Sequence, residues 1–152
     1  MIRARVWVAT VVCDGEVTLI WASREECGTL EVMRIVVCVK HVPDMQSERR
    51  FEGGRLVRGE DDVLNELDEN AIEAAVQLKE AEEDAGREAE VVALTMGPED
   101  AEDALMRALQ MGADRAYIVS DEFLEGSDVI TTASVLSVAI AKIADECGPV
   151  DL

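Results

Sequence analysis

Ile35-Val36-Val37-Cys38-Val39 is an unbroken apolar run in which four of the five side chains are β-branched. Such a run suits a strand buried on both faces, as in a parallel sheet lying between helices. The residues downstream decide how it is used. Residues 45–62 are polar, and within them Arg50-Phe51-Glu52 and Arg55-Leu56-Val57 flank Gly53-Gly54, the pattern of a small hairpin. Leu67, Ala71, Ala74, Leu78, Ala81 and Ala85 then recur at spacings of 4, 3, 4, 3 and 4, which predicts a helix with these residues as its apolar face. Asn65 stands where an N-cap belongs, Asp68 and Glu69 sit at the positive end of the helix dipole, and Gly86 closes the helix.

The alternation continues. Residues 91–96 read as a second strand, and Gly97-Pro98 turns the chain. Ala101, Ala104, Leu105, Ala108 and Leu109 form the next helical face, which Gly112 ends. Residues 116–119 are a third strand. Ser127 or Asp128 then caps a helix with Thr132, Leu136, Ala139, Ile140 and Ile143 on its face, and Gly148-Pro149 stops it. Residues 33–148 therefore read β-α-β-α-β-α. The fold class is α/β: a Rossmann-like parallel sheet with flanking helices, of the adenine-nucleotide-binding type. A fourth strand is expected to begin at Val150-Asp151-Leu152, so the sheet is expected to be incomplete at the C-terminus. Ligands of doubly wound sheets sit past the carboxyl ends of the strands, where the strand order reverses. This sequence supplies one wall of that cleft.

Residues 1–32 precede this unit. Arg3 and Arg5 before a short apolar stretch superficially resemble a signal peptide, but Asp14 interrupts the stretch and no A-x-A site follows. Residues 5–13 and 16–22 read better as two strand-like stretches around Asp14-Gly15. The expected organisation is an unmatched leader over residues 1–32 and a partial nucleotide-binding domain over residues 33–152.

Composition narrows the function. The 152 residues carry 33 Asp+Glu against 14 Lys+Arg, a net charge of −19. Thirteen of the acids lie within residues 60–90, where the apolar periodicity persists, so they read as a solvated helix face and its loops. With 49% apolar and 31% charged residues the chain is globular in composition. The acidity disfavours nucleic acid polymers and anionic membranes, and no apolar run is long enough for membrane insertion. His41 is the only histidine, which leaves no multi-histidine metal centre, and no metal site is expected. Cys13, Cys27, Cys38 and Cys147 are irregularly spaced, so reduced thiols in the cytoplasm are expected, each a small buried hydrophobe.

Neither G-x-G-x-x-G nor G-x-x-x-x-G-K-[ST] is present, and no nucleophile–base constellation is visible, so no catalytic residue is assigned. The remaining candidate site is built from strand ends: Cys38 on the first strand, residues 65–68 at the start of the first helix, and Thr95-Met96-Gly97 on the second. Backbone groups there, with the N–H groups of a helix N-terminus, can hold an adenine edge or a ribose. These features favour nucleotide binding or a carrier role over bond-breaking catalysis.

Three stretches, in order, resemble the electron transfer flavoprotein β subunits. Residues 33–44, MRIVVCVKHVPD, are similar to the family's opening strand and V-K-x-V-x-D pattern. Residues 65–80, NELDENAIEAAVQLKE, resemble its N-x-x-[CD]-E-x-A segment. Residues 90–115 contain T-M-G-P-E-D-A and A-L-Q-M-G-A-D-R, similar to its strand–G-P–helix stretch. The resemblance implies an electron-carrying subunit of an αβ heterodimer. That carrier would take electrons from flavin dehydrogenases, such as acyl-CoA dehydrogenases, and pass them to a downstream acceptor. It implies FAD held mainly by the α subunit and an AMP buried in the β subunit. The AMP-contacting positions would be Cys38, Asn65, Glu66, Leu67, Asp68 and Met96. Glu66 stands where the family commonly has proline. Residues 1–32 have no counterpart, and the family's chain continues beyond position 152. Two alternatives stay open: an adenine-nucleotide-binding regulatory module similar to universal stress proteins, and a nonfunctional fragment.

Overall fold

Alternating short and long periodicities fold here into a three-stranded parallel sheet covered on both faces. The computed structural model describes residues 8–12, 16–20, 32–58 and 61–152. Upstream, β1 (Val8–Val12) and β2 (Glu16–Ile20) pair antiparallel, as their sequence suggested. The Asp14-Gly15 turn and the outer ends of both expected stretches lie outside the described residues, as do Cys13 and Cys27. The chain continues through β3 (Val32–Cys38), β4 (His41–Pro43), β5 (Phe51–Glu52), β6 (Arg55–Leu56), β7 (Asp62–Leu64) and α1 (Glu66–Asp84). It ends with β8 (Glu88–Met96), α2 (Glu102–Met111), β9 (Arg115–Val119) and α3 (Val129–Cys147).

The parallel sheet has the order β3-β8-β9. Side chains alternate across it. Ile35, Val37, Val91, Ala93, Ala116 and Ile118 face α1 and α2, whereas Val92, Leu94, Tyr117 and Val119 face α3. The α2 face is as predicted, with Ala104, Leu105, Ala108 and Leu109 buried. Asp128 caps α3, its carboxylate accepting the Thr131 N–H at 2.8 Å. The β5–β6 hairpin turns at Gly53 and Gly54, both at positive φ, where glycine avoids the Cβ penalty.

The face of α1 differs from the expectation. Ile72, fully buried, and Ala75 turn inward with Val76 beside them, while Leu67 is 74% exposed and Leu78 42% exposed. The 4-3-4 stripe was built mainly on alanines, each of which buries little apolar area. A neighbouring face carrying Ile72 and Val76 buries more, and the helix is rotated accordingly. A second difference is the β4–β7 ribbon, in which His41 pairs with Leu64 and Pro43 with Asp62. Its strands are too short to show a period.

At the amino ends of the strands, Arg34 forms a buried knot. Its Nε meets Glu90 Oε2 at 2.9 Å, and Arg115 Nε meets the other Glu90 oxygen at 2.6 Å. Arg34 Nη1 donates to the Pro149 carbonyl at 2.9 Å. The final residues then run along the free edge of β3: Asp151 N–H donates to the Arg34 carbonyl at 2.9 Å and Val36 N–H to the Leu152 carbonyl at 2.7 Å. Pairing of this segment with the first strand agrees with the expected start of a fourth strand. Cys147 is buried nearby, its Sγ accepting from Arg115 Nη1 at 2.9 Å. Burial, then contact with Cys147, pushes the Tyr117 hydroxyl pKa well above its ordinary value.

Candidate functional site

The carboxyl end of β3 and the amino end of α1 are tied together by three residues. Asp68 is the centre of the tie. Its Oδ2 accepts the Lys40 N–H at 2.9 Å, and its Oδ1 accepts from Asn65 Nδ2 at 2.8 Å. The Asn65 N–H donates to the Lys40 carbonyl at 3.0 Å. Asn65 does occupy the N-cap position, but its side chain makes no capping bond, because its amide is turned to the Asp68 carboxylate. An α-helix leaves its own first-turn N–H groups without intrahelical partners. Those of Glu66 and Leu67 therefore point out of the helix end.

Cys38 ends β3 beside this tie and is exposed, contrary to the expectation that every cysteine is buried. The residue is the last of β3, two positions before Lys40 of the tie. Loss of hydration at the strand end, and secondarily the Asp68 carboxylate, raise its thiol pKa above the ordinary 9.0. At the end of β8, Met96 is half-buried and packs with the side chains facing α3. Gly97 follows it, its N–H donating to the Val119 carbonyl at 3.0 Å. A Cβ at Gly97 would lie 3.1 Å from that of Ala101, so glycine lets the chain turn closely into α2.

Of the six residues singled out from sequence, Cys38, Asn65 and Asp68 are brought together. Glu66 and Leu67 expose their side chains and offer backbone N–H groups only. Met96 is largely a packing residue. Lys40 was not singled out, although its backbone holds the tie together; the lysine of the V-K-x-V-x-D pattern was the signal available. Chemically, the arrangement suits a neutral hydrogen-bonding edge. The Asp68 and Glu66 carboxylates oppose an anion at the helix end, where the dipole alone would favour one. Among the described residues no His, Cys, Asp and Glu cluster is placed to hold a metal ion. No described helix is long and apolar enough to cross a membrane.

Residues 54–149 match the electron transfer flavoprotein domain. The chain belongs to the electron transfer flavoprotein family. It is 44% identical over 112 residues to an electron transfer flavoprotein subunit beta of Mycobacterium bovis, an alignment covering 72% of this chain and 42% of the relative. A subunit beta from Megasphaera elsdenii is 42% identical over 119 residues, covering 76% of this chain and 42% of that protein. Protein FixA of Azorhizobium caulinodans is 39% identical over 122 residues, covering 79% and 42% respectively. The chain thus spans 42% of the length of these curated relatives. Family membership favours the electron-carrier reading over a regulatory module similar to universal stress proteins.

Proposed function

We propose that this chain serves as the β-subunit-type part of an electron transfer flavoprotein, pairing with an α subunit that holds most of the FAD. In this role it carries no catalytic residue. It contributes a buried AMP and part of the wall around the flavin, and the assembled carrier moves electrons from flavin dehydrogenases, such as acyl-CoA dehydrogenases, to a downstream acceptor in the cytoplasm. The observation that carries the reading is the Lys40–Asn65–Asp68 tie beside exposed Cys38, in a chain 44% identical to an electron transfer flavoprotein subunit beta.

The residues fit a nucleoside better than a phosphate at this point. The free N–H groups of Glu66 and Leu67 and the open Cys38 end offer donors and a polarizable contact to an adenine edge or a ribose. The adjacent carboxylates keep the phosphate away from the helix end. Asp68 positions the site, holding the backbone of Lys40 and the side chain of Asn65 in register. When bound, the flavin of the partner subunit supplies the redox chemistry, and this chain shapes its surroundings.

The test is co-expression with an α subunit, purification of the complex and chromatography of the nucleotides released on denaturation. AMP and FAD in about equal amounts are expected, one of each per complex. Recovery of neither nucleotide from a purified complex refutes the reading.

A further inference from the structure

Two buried polar side chains have no hydrogen-bond partner among the described residues: both ring nitrogens of His41 and the hydroxyl of Thr95. Thr95 is fully buried and His41 is 8% exposed. Their placement is related. Cys38 pairs with Leu94, and the Val39 N–H donates to the Leu94 carbonyl at 2.8 Å, so Val39 lies opposite Thr95. Paired residues of parallel strands share a face, and Val39 belongs to the core beneath α1 and α2. His41 is two residues beyond Val39, and its partner Leu64 belongs to the same core. Both orphaned groups therefore front the same core at the carboxyl ends of β3 and β8. They lie on the sheet face opposite Cys38, His41 directly after Lys40 and Thr95 directly before Met96 of the site described above.

We propose that His41 and Thr95 form a buried hydration site, linked through one or two internal water molecules. The chemistry fits. A neutral imidazole offers one donor and one acceptor, a hydroxyl offers both, and a water needs two to four polar partners. A chain of this size holds about five buried waters, so such a site is ordinary in kind. Leaving three buried polar atoms unsolvated would be costly. The water joins the end of β8 to the β4–β7 ribbon, and that ribbon runs directly into Asn65 and α1.

Water oxygen-17 relaxation dispersion on the full chain counts internal waters that outlive molecular tumbling. The near-isosteric Thr95→Val is expected to lose at least one of them. An unchanged count overturns the proposal. A denaturation cycle with Thr95→Val, His41→Leu and the double variant reads the link independently. The unfolding constants of the single variants are expected to fail to multiply by at least threefold, and a smaller departure overturns the proposal. If His41→Leu does not fold, the relaxation comparison on Thr95→Val alone decides.

Discussion

Replacing Ile72 by alanine tests which face of α1 supports the fold. Ile72 is fully buried, so the change removes about three buried methyl or methylene groups at ~0.8 kcal/mol each, ~2.4 kcal/mol in transfer free energy. The cavity left behind raises the expected loss to about 3–4 kcal/mol. Leu67 gives the contrast. With 74% of it already exposed, only about a quarter of a comparable transfer term is at stake, ~0.6 kcal/mol. The better helix propensity of alanine offsets ~0.2 kcal/mol of that. Leu67→Ala should therefore cost about 0.4 kcal/mol, close to a tenth of the Ile72→Ala effect. Urea denaturation of the full chain, followed by far-ultraviolet circular dichroism, measures both at constant m. Leu67→Ala destabilising as strongly as Ile72→Ala would refute the rotation of α1 described above.

Two further outcomes are expected. Because the Cys38 thiol pKa is raised, its alkylation rate should still be climbing at pH 9.0. Asp68→Asn should move that curve to lower pH, with site-resolved mass spectrometry separating Cys38 from the slower, buried Cys147. The Asp128 carboxyl is held below its ordinary 3.8 by the Thr131 N–H, so its stabilisation is present above that value and lost as pH falls through the folded one. The thermal midpoint of Asp128→Ala should accordingly lie below that of the unaltered protein at neutral pH and converge with it in acid. A gap that persists or widens in acid contradicts the assignment.

Much of the architecture was readable because burial on both faces leaves a strong mark. The run through Ile35 and Val37 and the Ala104–Leu105–Ala108–Leu109 face each admit one packing, and both are found. In α1 the marks conflict: two candidate faces lie more than a third of a turn apart, and alanine fits either environment. Side-chain volume at Ile72 and Val76 decides between them, which the spacing of apolar letters does not record. The site was half readable for a similar reason. Asn65 and Asp68 stand out by type and position, but that the asparagine amide prefers the Asp68 carboxylate to the helix end depends on where β3 delivers Lys40. That is a tertiary fact. The β4–β7 ribbon was missed because three-residue strands carry no period.

The bond from the Arg34 N–H to Asp151 spans 117 residues. Closing a loop that long costs about 4 kcal/mol of chain entropy before any contact offsets it. During synthesis, β3 emerges 117 residues before its partner along this edge. The edge stays open while the residues between them are being made, a template to which strands of neighbouring nascent chains can add. Vulnerability to aggregation through this edge is thus greatest before residue 151 emerges, and slower elongation through residues 33–148 would lengthen that exposure.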